Sequence, residues 1–269
     1  MSDDTCAAQH AQPVVRLTPR RVPFPWSKNS PLIFRSDPDT NIMSDNRKFI
    51  STEARGKGIG LVLMGDTHGR HRDIAVPDGD WLIHVGDFTN SSKSQREILD
   101  FNAWLGDFPH AYKIVVPGNH EFFLEADPSK QSLLNNAIVL LNEGVQVEGL
   151  RIWGSPVTPL YGGAFGMSSA ADRKRLYAGI PDNTDILITH GPPYGVLDVM
   201  PNSALHTGCR ELFEAVMRVR PRVHAFGHVH RCGILYTDST TFVNAALLGI
   251  HGGIEKAPIV LRLSRKGTK

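Results

Sequence analysis

From Gly58 onward, short apolar runs recur along the chain and stop abruptly. The runs "GIGLVLMGD", "WLIHVGD", "YKIVVPGNH", "DILITHG" and "RVHAFGHVH" are rich in Val, Ile, Leu or Phe. Each ends in glycine with Asp, Asn or His. Runs with apolar residues on both faces predict strands covered by a layer on either side. Helical periodicity lies between them. Ser94 to Phe108 opens on a capping box, Ser94 followed by Glu97. It then sets Ile98, Phe101, Trp104, Leu105 and Phe108 on one face. Cys209 to Arg220 predicts a second helix with Leu212, Phe213, Val216 and Met217 inward, stopped by Pro221. A third is expected within Pro128 to Leu141. The stretch "AIVLLNEGVQVEGLRIWGSP" reads as short strands around a turn, "CGILYTDSTTFVNAA" as a hairpin and "APIVLRL" as a late strand. Together these predict an α/β layered domain with two central sheets flanked by helices.

Residues 1–55 break with this pattern. "LTPRRVPFPWSKNSPLIFRSDPDTN" is proline-rich and has almost no periodicity. It predicts an extended, partly ordered arm, with the domain running over residues 56–269. Trp26, Leu32, Ile33 and Phe34 could dock on that domain, and Met43 could be an alternative start.

A net charge of +2 gives no strong pull toward nucleic acid or membrane. No apolar run approaches a membrane span, and the N-terminus lacks a basic start followed by an apolar stretch, so no secretory signal is expected. Three cysteines, Cys6, Cys209 and Cys232, form no paired spacing. A reducing, cytoplasmic setting is the expectation. Twelve histidines are many for this length, and their positions matter more than their number.

In α/β sheets, functional groups gather beyond the carboxyl ends of the strands. Those ends carry Asp66 and His68, Asp87, Asn119 and His120, His190, and His228 and His230. Adjacent glycines permit tight turns and close backbone approach. Any one such residue could be structural, but five successive strand ends of this kind predict one shared site. Asp66, His68, Asp87, Asn119, His190, His228 and His230 offer oxygen and imidazole donors with no thiolate. Such a set suits transition ions such as Mn, Fe, Zn or Ni better than a thiophilic ion. One tetrahedral zinc takes four ligands, so seven point to two ions sharing a carboxylate. Two ions roughly 3.5–4 Å apart clamp an in-line displacement at phosphorus.

These motifs, in this order and at about this spacing, resemble those of the calcineurin-like metallophosphoesterases over residues 58 to about 248. Within that family, "GDFT", "THGPP", "GCRELFEAV", "RVRPRVHAFGHVH" and "TTFVNAA" are similar to the metallophosphoesterase-domain-containing, adult-brain-protein branch. The resemblance implies a four-layer α/β/β/α sandwich with two central mixed sheets. It also implies two divalent transition-metal ions, Mn first and Fe, Zn, Ni or Co as alternatives, and hydrolysis of small phosphodiesters, cyclic nucleotides among them. One metal would be held by Asp66, His68 and His230, and the second by Asn119, His190 and His228, with Asp87 bridging. His120 would be the catalytic acid or transition-state stabiliser, and a bridging hydroxide the nucleophile. Glu121 would hold the loop together. Protein-dephosphorylating relatives carry "GDxxDRG" and an arginine after "GNHE". Here the stretches are "GDFTN" and Glu121-Phe122, so the arginine clamps are absent from those places. Asn90 stands where an acid often orients the catalytic histidine, and Glu125 or Asp127 could substitute. A phosphomonoesterase acting on nucleotides or phosphoproteins, or a metal-binding scaffold without turnover, are the rival readings.

The remaining candidates read more plainly. His84 and His224 lie inside strands as packing residues. His206, His110 and His251 are expected at the surface, and Cys209 and Cys232 as buried thiols. Arg70, in a loop with His71, could meet a substrate phosphate. The Gly- and Pro-rich stretch Trp153 to Ser169 is an ordered loop or a lid whose Tyr161 or Phe165 could stack on a base. Pro192, Pro193 and Tyr194 stiffen the loop after His190, where Tyr194 could edge the pocket.

Overall fold

The structure, a computed structural model, describes residues 15–17, 58–91, 93–159, 162–200 and 203–265. Its strands are β1 (Val15–Leu17), β2 (Ile59–Met64), β3 (Trp81–His84), β4 (Tyr112–Val115), β5 (Ile138–Val139), β6 (Glu143–Val147), β7 (Leu150–Ser155), β8 (Ile186–Thr189), β9 (Val223–Phe226), β10 (Gly233–Tyr236), β11 (Thr241–Asn244) and β12 (Ile259–Leu263). The α-helices are α1 (Gln95–Gly106), α2 (Phe122–Ala126), α3 (Ala170–Ala178) and α4 (Arg210–Val219).

Two mixed sheets form. The larger has the order β1-β6-β7-β8-β9-β11-β10 and the smaller β12-β2-β3-β4-β5. Alternation along each strand decides what lies between them. Ile59, Leu61 and Leu63 of β2, Trp81 and Ile83 of β3, and Ile186 and Ile188 of β8 fill a core shared by both sheets. The intervening Val62, Met64 and Leu82 face α1 through Ile98, Phe101, Trp104 and Leu105. On the far side, Leu187, Phe226 and Phe242 pack with Tyr177 of α3 and Leu212 and Val216 of α4. This is the expected four-layer α/β/β/α sandwich. β2, β3, β4 and β5 run parallel, as do β7, β8, β9 and β11. The carboxyl ends within each parallel set therefore share one edge of their sheet.

Several local expectations change. Pro128–Leu133 forms a 3-10 turn, not the opening of an α-helix, and β5 follows. Asn136 is drawn away from any helical ladder, its N–H and side-chain amide both bonded to Asn102. α3 was not foreseen, because its buried face is only Arg173 and Tyr177 on a polar segment. In α4, Ala215 and Val219 are buried with Leu212 and Val216, whereas Phe213 and Met217 stay partly exposed. His110, expected at the surface, is buried beside Phe108, and burial lowers its pKa. Val15–Leu17, within the expected arm, pairs antiparallel with β6. Trp26, Leu32, Ile33, Phe34 and Met43 lie outside the described residues. The turn between β6 and β7 places Glu148 and Gly149 both at positive φ, 46° and 80°, as a two-residue hairpin requires. Cys209 is buried and Cys232 half-buried, both free thiols. Among the described residues no helix is long and apolar enough to cross a membrane.

Candidate metal centre

Five parallel strands deliver the predicted residues to one place. Asp66 and His68 follow β2, Asp87 follows β3, Asn119 and His120 follow β4, His190 follows β8, and His228 and His230 follow β9. Backbone bonds lock these loops together. Asp66 N–H donates to Gly86 O at 2.9 Å, His68 N–H to Asp87 O at 2.9 Å, and Gly227 N–H to His190 O at 2.9 Å. Asp66, His68, Asp87 and His228 all sit at left-handed φ, 51°, 41°, 54° and 66°. Non-glycine residues adopt that region at a cost, and such strain collects where surrounding structure holds a functional group in place. The approach is tight: a Cβ on Gly118 would collide with Asp87, and one on Gly227 with Asp66.

The side chains form adjoining groups. Asp66, His68 and His230 offer ligand atoms within 4.8 Å of one another, and so do Asp87, His190 and His228. Asn119 joins the second group. Its Oδ1 lies 2.8 Å from His190 Nε2 and 2.7 Å from His228 Nδ1. Asp87 is divided between the groups, Oδ1 facing His190 Nε2 at 3.4 Å and Oδ2 facing His68 Nε2 at 3.8 Å. His120 lies near this junction, grouped with His68 and Asp87; its Nε2 is 4.0 Å from Asp87 Oδ2.

These donors fit a metal. His68 Nε2 is buried without a hydrogen-bond partner among the described residues, an arrangement that is costly unless something else meets it. Burial lowers the pKa of His68 to about 4 and that of His228 to about 3, so both rings are neutral, the form a metal needs. His190 Nδ1 donates to Val85 O at 3.0 Å, and His230 Nδ1 to Gly249 O at 3.2 Å. Each leaves Nε2 toward a carboxylate, the pattern by which a protein fixes a ligating imidazole. Burial opposes charge on His190, yet the Asp87 and Asp66 carboxylates outweigh it and raise its pKa to about 9. An ion binding there would displace that proton. Burial would raise Asp87, but His190, His120 and His68 hold it below the usual carboxylate range.

Glu121 behaves as a loop clamp. It is fully buried and accepts from Asp87 N–H, Gly118 N–H, Thr89 N–H and Thr89 Oγ1–H. Neither substitute proposed for orienting His120 is near it in bonding. Glu125 accepts from Phe165 N–H, and Asp127 caps Ser129. The partner is Ser91, whose Oγ lies 3.1 Å from His120 Nδ1; a serine in a turn gave no signal in the sequence. Arg70 is tied to Asp73 and to Gly252 O, and His71 is buried against Asp100. His84 and His224 are core residues, paired with Thr67 and Thr189 hydroxyls at 3.2 and 2.8 Å. His206 and His251 are exposed. Phe165 is half-buried against the α1 side of the smaller sheet, in a stretch held beside the centre by Ala164 N–H donating to Asn119 O at 2.8 Å, and Tyr161 lies outside the described residues. Tyr194 lines a separate cleft of about 490 Å³ with His206, Arg210 and Glu211, where the Arg210 guanidinium stacks on its ring at 3.7 Å.

Residues 59–232 match the model of the Calcineurin-like phosphoesterase family. The chain belongs to that family. Metallophosphoesterase domain-containing protein 1 of Homo sapiens is 40% identical over 230 residues, covering 76% of this chain and 70% of its own. A UPF0046 protein of Caenorhabditis elegans is 37% identical over 222 residues, covering 77% of this chain and 76% of that protein. The crystal structure of the Phosphopantetheinyl Hydrolase (PptH) from Mycobacterium tuberculosis has a similar fold. Its TM-score is 0.51 at 16% identity, covering 77% of this chain and 96% of that one. The family is metal-dependent, and the histidine and carboxylate groups described above are where this phosphoesterase could hold its metal.

Proposed function

We propose that this phosphoesterase hydrolyses small phosphodiesters, cyclic nucleotides among them, with two transition-metal ions, Mn foremost, in a reducing cytoplasmic setting. The observation that carries the reading is the division of Asp87 between two donor groups, the position of a carboxylate shared by two ions. Asp66, His68 and His230 would hold one ion, and Asn119, His190 and His228 the other. Bound there, two ions would supply an acidified water and neutralise phosphoryl oxygens.

The chain's own residues do the rest. Asp87, held ionised by the histidines around it, sets the negative charge that attracts the cations, and Asp66, whose pKa burial pushes up to about 8, would release its proton to a bound ion. His120, 28% exposed at its side chain, faces the centre from its open side, placed to give a proton to the departing alkoxide. No arginine follows "GNHE", and Arg70 is occupied by Asp73 and Gly252. A monoester dianion profits from such cations more than a diester monoanion does, which favours diesters. A panel of bis-p-nitrophenyl phosphate, p-nitrophenyl phosphate and cyclic nucleotides on Mn-reconstituted protein tests this. Diester turnover should exceed monoester turnover. The reverse order would favour a monoesterase, and no turnover at full metal load a scaffold.

A further inference from the structure

We infer that Ser91 is the positioning residue for His120, in the place where an acid was expected. The inference rests on His120 being the proton donor proposed above. The backbone of His120 is held on both sides: its N–H donates to Asp87 Oδ1 at 2.9 Å, and its carbonyl lies 3.0 Å from Thr89 Oγ1, whose one proton it shares with Glu121. The ring still has a free torsion, and proton transfer depends on its orientation. The one side-chain hydrogen bond to that ring among the described residues is from Ser91, at 3.1 Å to Nδ1. A proton donor carries its transferable hydrogen on Nε2, the atom that faces Asp87 and the metal centre. Nδ1 then meets Ser91 Oγ, accepting from its hydroxyl in the neutral ring and donating to it in the imidazolium.

The backbone supports a role beyond packing. Ser91 is exposed and sits at φ 59°, so burial does not account for it and glycine would fit the conformation with less strain. The loop that presents it is held on its N-terminal side, Thr89 by Glu121 and the Asn90 N–H by Glu97. What serine adds over glycine here is a hydroxyl at Nδ1.

The bond changes in the assisted step balance simply. The incoming hydroxide forms the new P–O bond, the bond to the leaving oxygen breaks, and the Nε2 proton of His120 passes to that oxygen. Ser91 exchanges no proton; it holds the ring at the angle that lets this happen.

Ser91→Gly separates the hydroxyl from the fold. In Mn-reconstituted protein it should lower kcat by about 10- to 100-fold, the usual scale for losing a partner that orients a catalytic group. KM, metal content and melting temperature should hold, or melting temperature rise. Ser91→Asn, which tolerates left-handed φ and offers an amide oxygen, should restore most of kcat. Against His120→Ala, Ser91→Gly should add nothing, because the two act through one ring. Wild-type kcat in Ser91→Gly would overturn the assignment, as would an equal further loss in the His120→Ala background. If Ser91→Gly loses metal or stability instead, Ser91→Asn decides: failure to restore kcat overturns it. Full activity in His120→Ala would instead remove the proton-donor reading beneath it.

Discussion

β9 and its end carry two histidines four residues apart, one buried and one half-buried, that live in different surroundings. His224, inside the strand, is fully buried and bonded to the Thr189 hydroxyl, which itself donates to Gly191 O at 2.7 Å. His228, beyond the strand end, lies at left-handed φ and faces Asn119, with the His190 ring 5.0 Å away. Burial depresses both to a pKa of about 3, so titration alone does not tell a core histidine from a ligand. The partner does. His224 meets one hydroxyl through Nε2, and its Nδ1, buried without a partner among the described residues, has only aromatic rings nearby, whereas His228 meets an acceptor oxygen and other imidazoles, a company that a cation would complete. His84 with Thr67, against His68 with its orphaned Nε2, repeats the contrast around β2 and β3.

The largest expected effect falls at the junction of the two donor groups. Asp87→Ala should abolish turnover and lose both ions together, as seen by elemental analysis and a diesterase assay, because one carboxylate serves both groups. Retention of two tightly held ions would break the contrast at its strongest point. Next comes Asn119→Ala, which should weaken one ion at least as much as the ~10–100-fold that loss of an outer partner costs. Excess metal should partly restore its activity, and a metal titration of turnover reads this.

The mildest expectation sits inside the strand. His224→Leu should leave metal content and turnover unchanged while costing about 1 kcal/mol at neutral pH, the net worth of one hydrogen bond. Thr189 keeps its bond to Gly191 O, which limits the loss. Acidification should then reverse the order. The folded-state pKa of His224, about 3, lies below its ordinary 6.5, so the unfolded chain binds the extra proton as pH falls through 6.5. Wild type thus loses stability from pH 6.5 toward 3, by about 1.4 kcal/mol per unit from this residue. The variant is spared that loss. Denaturant unfolding of metal-stripped protein should show His224→Leu the more stable near pH 5; parallel pH profiles would contradict this.

Much of the architecture was legible because its signals are local. Apolar runs ending in glycine and a polar residue marked β2, β3, β4, β8 and β9, and those same ends named the residues that converge. α3 was missed because it buries Arg173 and Tyr177 rather than an apolar stripe; its one cue was the Ser169 N-cap accepting from Asp172 N–H. The expected helix at Pro128–Leu141 failed because Asn102, distant in sequence, claims Asn136. The carbonyls of Val85 and Gly249 that orient His190 and His230 are backbone groups, which any residue supplies. Ser91 was invisible for a related reason: nothing distinguishes a serine that holds an imidazole from one that fills a turn until the fold brings β3 and β4 side by side.

The central claim is that the strand ends form two metal sites joined by Asp87. Metal stripped from the wild-type protein and restored with Mn, then counted per chain by elemental analysis after removal of free ion, tests it most directly. The account predicts a plateau near two ions per chain. A plateau at one ion, or only traces of metal, would contradict it.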